Sequence, residues 1–125
     1  MKQIDILIID DEIKFADMLS RRLSLRGITC RACYDGLSGI QWVKENPGAA
    51  VLILLDLKLP DMYGTQVLSH IKEIDPAVPV FIITGHGTRE DEKTCLDLGA
   101  AEFIHKPVRI EKITTLLNHA REKMQ

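Results

Sequence analysis

The chain is 125 residues long, the length of a single domain, and its 46% hydrophobic and 27% charged residues suit a soluble protein with a real core. A formal net charge of −2 leaves no basic surplus for a phosphate backbone, which argues against direct binding to nucleic acid. The first apolar run, Ile4 to Ile9, is too short to span a membrane and is interrupted by Asp5, so no membrane anchor or signal peptide is expected and a cytoplasmic location is.

That run lacks polar alternation and ends at Asp10, as a strand buried on both faces does. Phe15, Leu19 and Leu23, with Met18 alongside, have the spacing of an amphipathic helix. A weaker strand is predicted at Ile28 to Ala32. A short helix marked by Leu37, Ile40 and Val43 follows and stops at Asn46-Pro47-Gly48. Val51 to Leu55 reads as the third strand, Val67, Leu68, Ile71 and Ile74 as a helical stripe, and Val78 to Ile83 as the fourth strand. The helix predicted at Arg89 to Leu98 is poor in apolar residues, with only Cys95, Leu96 and Leu98, and is expected to be among the less stable elements. Glu102 to His105 is a weak fifth strand, and Ile110, Ile113, Leu117 and Ala120 mark the last helix.

Five strands alternating with five helices predict an α/β fold, a doubly wound parallel sheet with helices on both faces. No repeat, low-complexity tract or Pro/Ser-rich linker marks a boundary, so residues 1–125 are expected to form one domain. Three cysteines, Cys30, Cys33 and Cys95, give no disulfide framework. Cys30 and Cys33 form a C-x-x-C, but the period of two along a strand sends the pair to opposite faces, and no second pair completes a metal site. They are expected simply to pack.

In an open α/β sheet, ligands bind beyond the carboxyl ends of the strands. Here strand one ends in Asp10-Asp11, strand three in Asp56, strand four in Thr84 and strand five in Lys106-Pro107. Taken singly, each has an ordinary reading: Asp10-Asp11-Glu12 as an acidic helix start, Asp56 as a loop aspartate, Thr84-Gly85 as a turn, Lys106 as a surface lysine. Their coincidence on one rim points to a site. Two like charges ~5 Å apart repel by roughly 3 kcal/mol at an effective dielectric of about 20, which favours raised pKa values or a bound cation. Hard oxygen ligands suit Mg²⁺, and a carboxylate can attack phosphorus to form an acyl phosphate. Phosphoryl transfer then needs cationic groups on the phosphoryl oxygens.

Ile8-Ile9-Asp10-Asp11-Glu12, Leu55-Asp56 through Gly64, Ile83-Thr84-Gly85-His86-Gly87 and Phe103-Ile104-His105-Lys106-Pro107 together resemble the receiver domain of two-component response regulators, over essentially the whole chain. The resemblance implies the flavodoxin-like receiver fold with strand order 2-1-3-4-5. It implies that Asp56 accepts a phosphoryl group from a phosphohistidine on a sensor histidine kinase or histidine phosphotransfer protein. Asp11, Asp56 and the backbone carbonyl of Lys58 would ligate Mg²⁺, with Asp10 helping largely through water. Lys106, before a cis bond to Pro107, would pair with the phosphoryl oxygens. Thr84 would move to bond the phosphoryl group and let Phe103 turn inward. The surface of helix four, strand five and helix five would then change partners, whether an output domain, a downstream protein or a second copy of the chain. Lys58 and His86 would flank the water that attacks the acyl phosphate, and Arg21, Arg22 and Arg26 are candidates for docking the donor, against the plainer reading of a solvated helix face.

Tyr63 departs from the family pattern, which more often has a small acidic or amide residue there. The segment from Thr84 to Gly87 resembles receivers attached to transcription activators, yet no output domain is expected within these residues. An aspartyl-phosphate phosphohydrolase would need a second acid/base group and a substrate cap; Lys58 stands two after Asp56 instead. A nucleotide- or flavin-binding protein would need a glycine-rich loop after strand one, where this chain is acidic. The protein is therefore expected to be a switch and not an enzyme.

Overall fold

A strand that is apolar at every position needs cover on both faces, and the rest of the chain supplies it. The computed structural model describes residues 3–124; Met1, Lys2 and Gln125 lie outside the described residues. The strands β1 (Ile4–Ile9), β2 (Cys30–Cys33), β3 (Ala50–Leu55), β4 (Val80–Thr84) and β5 (Glu102–His105) alternate with α1 (Ile13–Ser24), α2 (Gly36–Glu45), α3 (Gly64–Ile74), α4 (Arg89–Asp97) and α5 (Ile110–Lys123). The five strands are parallel in the order β2-β1-β3-β4-β5. Among the described residues, no helix is long and apolar enough to cross a membrane.

Alternation along each strand divides the core into two layers. Leu7, Ile9, Ile53, Leu55, Val80, Ile82 and Phe103 pack with residues of α2 and α3. Ile6, Ile8, Leu52, Leu54, Phe81 and Ile83 pack with residues of α1 and α5. Cys33 belongs to the first layer and Cys30 to the second, so the C-x-x-C is split by the sheet as its period requires. Burial pushes the Cys30 thiol up to about 12, which keeps it an unreactive thiol.

Two strands are displaced from their predicted bounds. β4 starts at Val80, because Pro79 has no N–H to donate; its carbonyl still accepts from Ile53 N–H at 3.0 Å. β2 starts at Cys30, because Ile28 N–H is used on the Leu23 carbonyl at the end of α1, at 3.1 Å. Within the predicted stripes, Leu37 is 63% exposed and Met18 is also exposed, while the α3 and α5 stripes face the core. In α4, Cys95 is the buried residue; Leu96 and Leu98 are exposed. At the opposite end of the sheet from the rim, Asp5 accepts from Thr29 N–H at 2.9 Å and pairs with Arg121 of α5 at 2.8 Å.

Candidate functional site

The sheet ladder does not stop where the strands end. Asp10 N–H donates to Cys33 O at 3.0 Å, Asp56 N–H to Ile9 O at 2.9 Å and Lys106 N–H to Thr84 O at 2.9 Å. Each of these side chains therefore stands on backbone fixed by one more rung, at the carboxyl edge of the sheet. Asp10, Asp56 and Thr84 are 2%, 3% and 0% exposed and are the buried polar residues among those described.

Asp10, Asp11 and Asp56 each offer a carboxylate oxygen, and these three oxygens lie within 4.8 Å of one another. Asp10 and Asp56 are buried and Asp11 is exposed. Lys106 Nζ reaches into the cluster, 2.8 Å from Asp10 Oδ2, 2.5 Å from Glu12 Oε1 and 3.5 Å from Asp56 Oδ2. It also lies over the Phe15 ring, 4.3 Å from its centroid. Burial, with help from the neighbouring Asp56 charge, pushes Asp10 up to about 6 against the lowering effect of Lys106 and of the Glu12 N–H. Burial lowers Lys106, but its hydrogen bonds to Asp10 and Glu12 outweigh that and leave it above its ordinary 10.5. Glu12 is held below its ordinary range, first by the Lys106 hydrogen bond and then by the Lys106 charge.

The loop after β3 is shaped for close approach. Lys58 and Tyr63 form an antiparallel bridge, and Gly64 N–H donates to Leu57 O at 2.6 Å. Asp56 Oδ1 accepts from Leu57 N–H at 2.7 Å. Asp61 reaches back to α2, accepting from Gly36 N–H and Leu37 N–H at 2.8 Å each, and so ties this loop to the start of that helix. Tyr63, which departs from the expected residue type, is exposed on the loop and leaves the acidic cluster intact.

Thr84 Oγ1 accepts from His86 N–H at 3.2 Å. Phe103 is only 8% exposed and already lies inward, where a Cβ on Gly87 would overlap its ring. His105 meets the Phe103 ring edge-on at 5.4 Å. The Lys106–Pro107 peptide is cis, as expected. Lys58 and His86 are exposed, as are Arg21, Arg22 and Arg26 on α1. Glu12 and Phe15 as partners of Lys106, and Asp61 as the tie to α2, have no signal in the sequence that marks these roles. Glu12 was visible as a third acidic residue in a row, but nothing local indicated a partner 94 residues away.

The acidic cluster fits Mg²⁺ by donor type: hard carboxylate oxygens, close together, two of them buried with an excess of negative charge. A family model described as the response regulator receiver domain matches residues 6–118. The chain is 33% identical, over 98% of its length, to a putative response regulator NtrX-like of Rickettsia typhi, and spans about a quarter (26%) of that protein. It superimposes with a TM-score of 0.88 on a CheY-like response regulator receiver domain protein from Methanospirillum hungatei, at 28% identity, covering 98% of this chain and 99% of that one. The receiver domain of NtrX from Brucella abortus gives a TM-score of 0.83 at 32% identity, covering 94% of this chain and 98% of that one. With the parallel order β2-β1-β3-β4-β5 and an acidic rim at its carboxyl edge, the chain belongs to the response regulator receiver domains, the signalling switches of two-component systems.

Proposed function

We propose that this chain is switched by phosphorylation of Asp56, using a phosphohistidine on a sensor histidine kinase or histidine phosphotransfer protein as donor. What supports this is the setting of Asp56. Its buried carboxylate has one oxygen on Leu57 N–H and the other facing Lys106, beside two further aspartates. In the step, a carboxylate oxygen of Asp56 attacks phosphorus, the P–N bond breaks, and its electron pair leaves with the imidazole, which takes a proton from solvent.

Asp10, Asp11, Asp56 and the Lys58 carbonyl are the groups that would hold Mg²⁺. When bound, the ion supplies positive charge against the phosphoryl oxygens. Lys106 donates an N–H to one of those oxygens, and Thr84 turns its hydroxyl from accepting the His86 N–H to donating. Phe103 is the reporter of that move, because its ring lies beside Thr84 and Gly87. α4, with little buried surface, is the element suited to change with it and to present the α4–β5–α5 face to an output domain, a downstream protein or a second copy. Reversal is hydrolysis: water attacks phosphorus and the P–O bond to Asp56 breaks. Lys58 and His86 flank that path and set the lifetime, and Arg22 contributes to docking the donor. Residues 6–118 act as one receiver domain, in a cytoplasmic protein.

Incubation with acetyl phosphate and Mg²⁺ should add one phosphoryl group, labile to base and to hydroxylamine, lost in Asp56→Asn. Turnover of many equivalents would mean a phosphatase instead. His86→Ala should change the decay rate of the phosphorylated form, and an unchanged rate would reject its role. Charge reversal at Arg22 should slow transfer from a phosphohistidine donor but not from acetyl phosphate.

A further inference from the structure

Lys106 has three N–H donors, and its surroundings already use most of them. Asp10 at 2.8 Å and Glu12 at 2.5 Å are hydrogen-bond partners, whereas Asp56 at 3.5 Å lies beyond ordinary N–H···O range. The Phe15 ring closes another side of the ammonium. An acceptor arriving on Asp56 therefore competes with these partners for the ammonium. Asp10 is the costly one to lose, because its buried side chain has no access to water that could replace the bond. The Glu12 side chain is 58% exposed and is readily rehydrated.

The direction in which Glu12 points is informative. It is the N-cap residue of α1, yet its side chain makes no capping hydrogen bond. A carboxylate at a helix N-terminus is favoured there by the orphan N–H groups. Instead it reaches over the site to Lys106, while its own backbone N–H is pinned to Asp10 Oδ1 at 2.9 Å.

We infer that Glu12 is a positioning residue that parks Lys106 away from Asp56, and that breaking this one contact is part of phosphorylation. The inference rests on Asp56 being the phosphoacceptor. Glu12 does not touch the transferred group; it lowers the readiness of Lys106 to do so. With the contact removed, phosphorylation by a small donor should be faster by about two- to fivefold, the range of a solvent-exposed ion pair.

Glu12→Gln and Glu12→Asp separate the contact from the bare charge. Aspartate keeps the charge but is one methylene short of Lys106 and suited to capping α1 instead. Both variants should be phosphorylated faster than the parent by acetyl phosphate with Mg²⁺, and in metal-free protein both should move the Lys106 ¹⁵Nζ resonance. Acceleration in Glu12→Gln alone, with Glu12→Asp like the parent, would mean simple repulsion of the anionic donor and would overturn the inference. So would unchanged rates, or an unmoved Lys106 resonance. A parent protein that takes no phosphoryl group on Asp56 would instead reject the phosphoacceptor reading beneath it.

Discussion

Gly64 lies hard against the backbone carbonyl of Asp56. A Cβ on Gly64 would stand 2.5 Å from that oxygen and 2.7 Å from Leu57 Cα, both main-chain atoms that cannot swing aside. The first residue of α3 and the backbone just past β3 therefore share one close contact, at the residue that carries the Asp56 carboxylate. Gly64→Ala should lower stability by about 1–3 kcal/mol, the usual cost of forcing an extra methyl into packed structure. It should also slow phosphorylation by acetyl phosphate in the protein that remains folded. Urea midpoints and the initial rate, taken together, test this; normal values for both would show that the backbone yields without harm.

Asp61 provides a second support for the same loop. Its two oxygens accept the Gly36 and Leu37 N–H groups, which have no partner within α2 itself. Asp61→Ala should cost about 1–2 kcal/mol, as loss of a helix cap does, and Asp61→Asn should recover part of it through its remaining amide oxygen. Equal losses in the two variants would argue that charge, and not hydrogen bonding, is what matters.

Gly87 leaves the space that the Phe103 ring fills. Gly87→Ala would place a methyl within that ring and 3.0 Å from Thr84 Cγ2, so Phe103 should be driven from its buried seat. The expected cost is about 1–3 kcal/mol. Trimming the ring in the double variant Gly87→Ala/Phe103→Leu should restore part of it. A double variant no better than Gly87→Ala would show that the strain lies elsewhere.

Asp5 gives the fold a defined response to acid. Burial alone would raise its carboxyl, but hydrogen bonds from Thr29 and Arg121, with the Arg121 charge, outweigh burial and hold it below its ordinary 3.8. A depressed acid contributes stability that is whole above 3.8 and is lost as pH falls through the folded-state value. Asp5→Asn should thus be less stable than the parent at neutral pH by about 0.5–1.5 kcal/mol. The gap should close as the pH drops below the carboxylate range. Denaturant midpoints at neutral and strongly acidic pH measure it, and a gap that persists in acid would remove Asp5 from the account.

Much of the fold was legible because its signals are local. The nearly continuous apolar runs of β1 and β3 read as strands covered on both faces, and the α5 stripe from Ile110 to Ala120 is buried as its spacing requires. The rim followed from asking what stands at each strand end, and Asp10, Asp11 and Asp56 do meet there. What escaped was set by tertiary geometry. Pro79 moved the start of β4, although Val78 is still buried, because burial and ladder pairing are different demands. Leu37 looked like a core residue by spacing, but α2 turns it to solvent. The bond from Lys106 to Glu12 joins two ends of the sequence, and no periodicity announces it.

The extra rungs that hold Asp10 and Asp56 have a thermodynamic consequence. The two aspartates stand at the ends of β1 and β3, in the middle of the sheet, and come together only while those strands are paired. A divalent ion held by them would bind the folded chain alone, and at a hundredfold excess over its Kd would add about 2.7 kcal/mol to the work of global unfolding. Amide protons that exchange only by global unfolding, such as those deep in β1 and β3, should slow together when Mg²⁺ is added, even at the end of the sheet remote from the rim. Protons of α4, anchored through Cys95, exchange by local opening and should keep their pace. One small cation would then divide the molecule into a plate that stiffens as a whole and a helix left free to move on it.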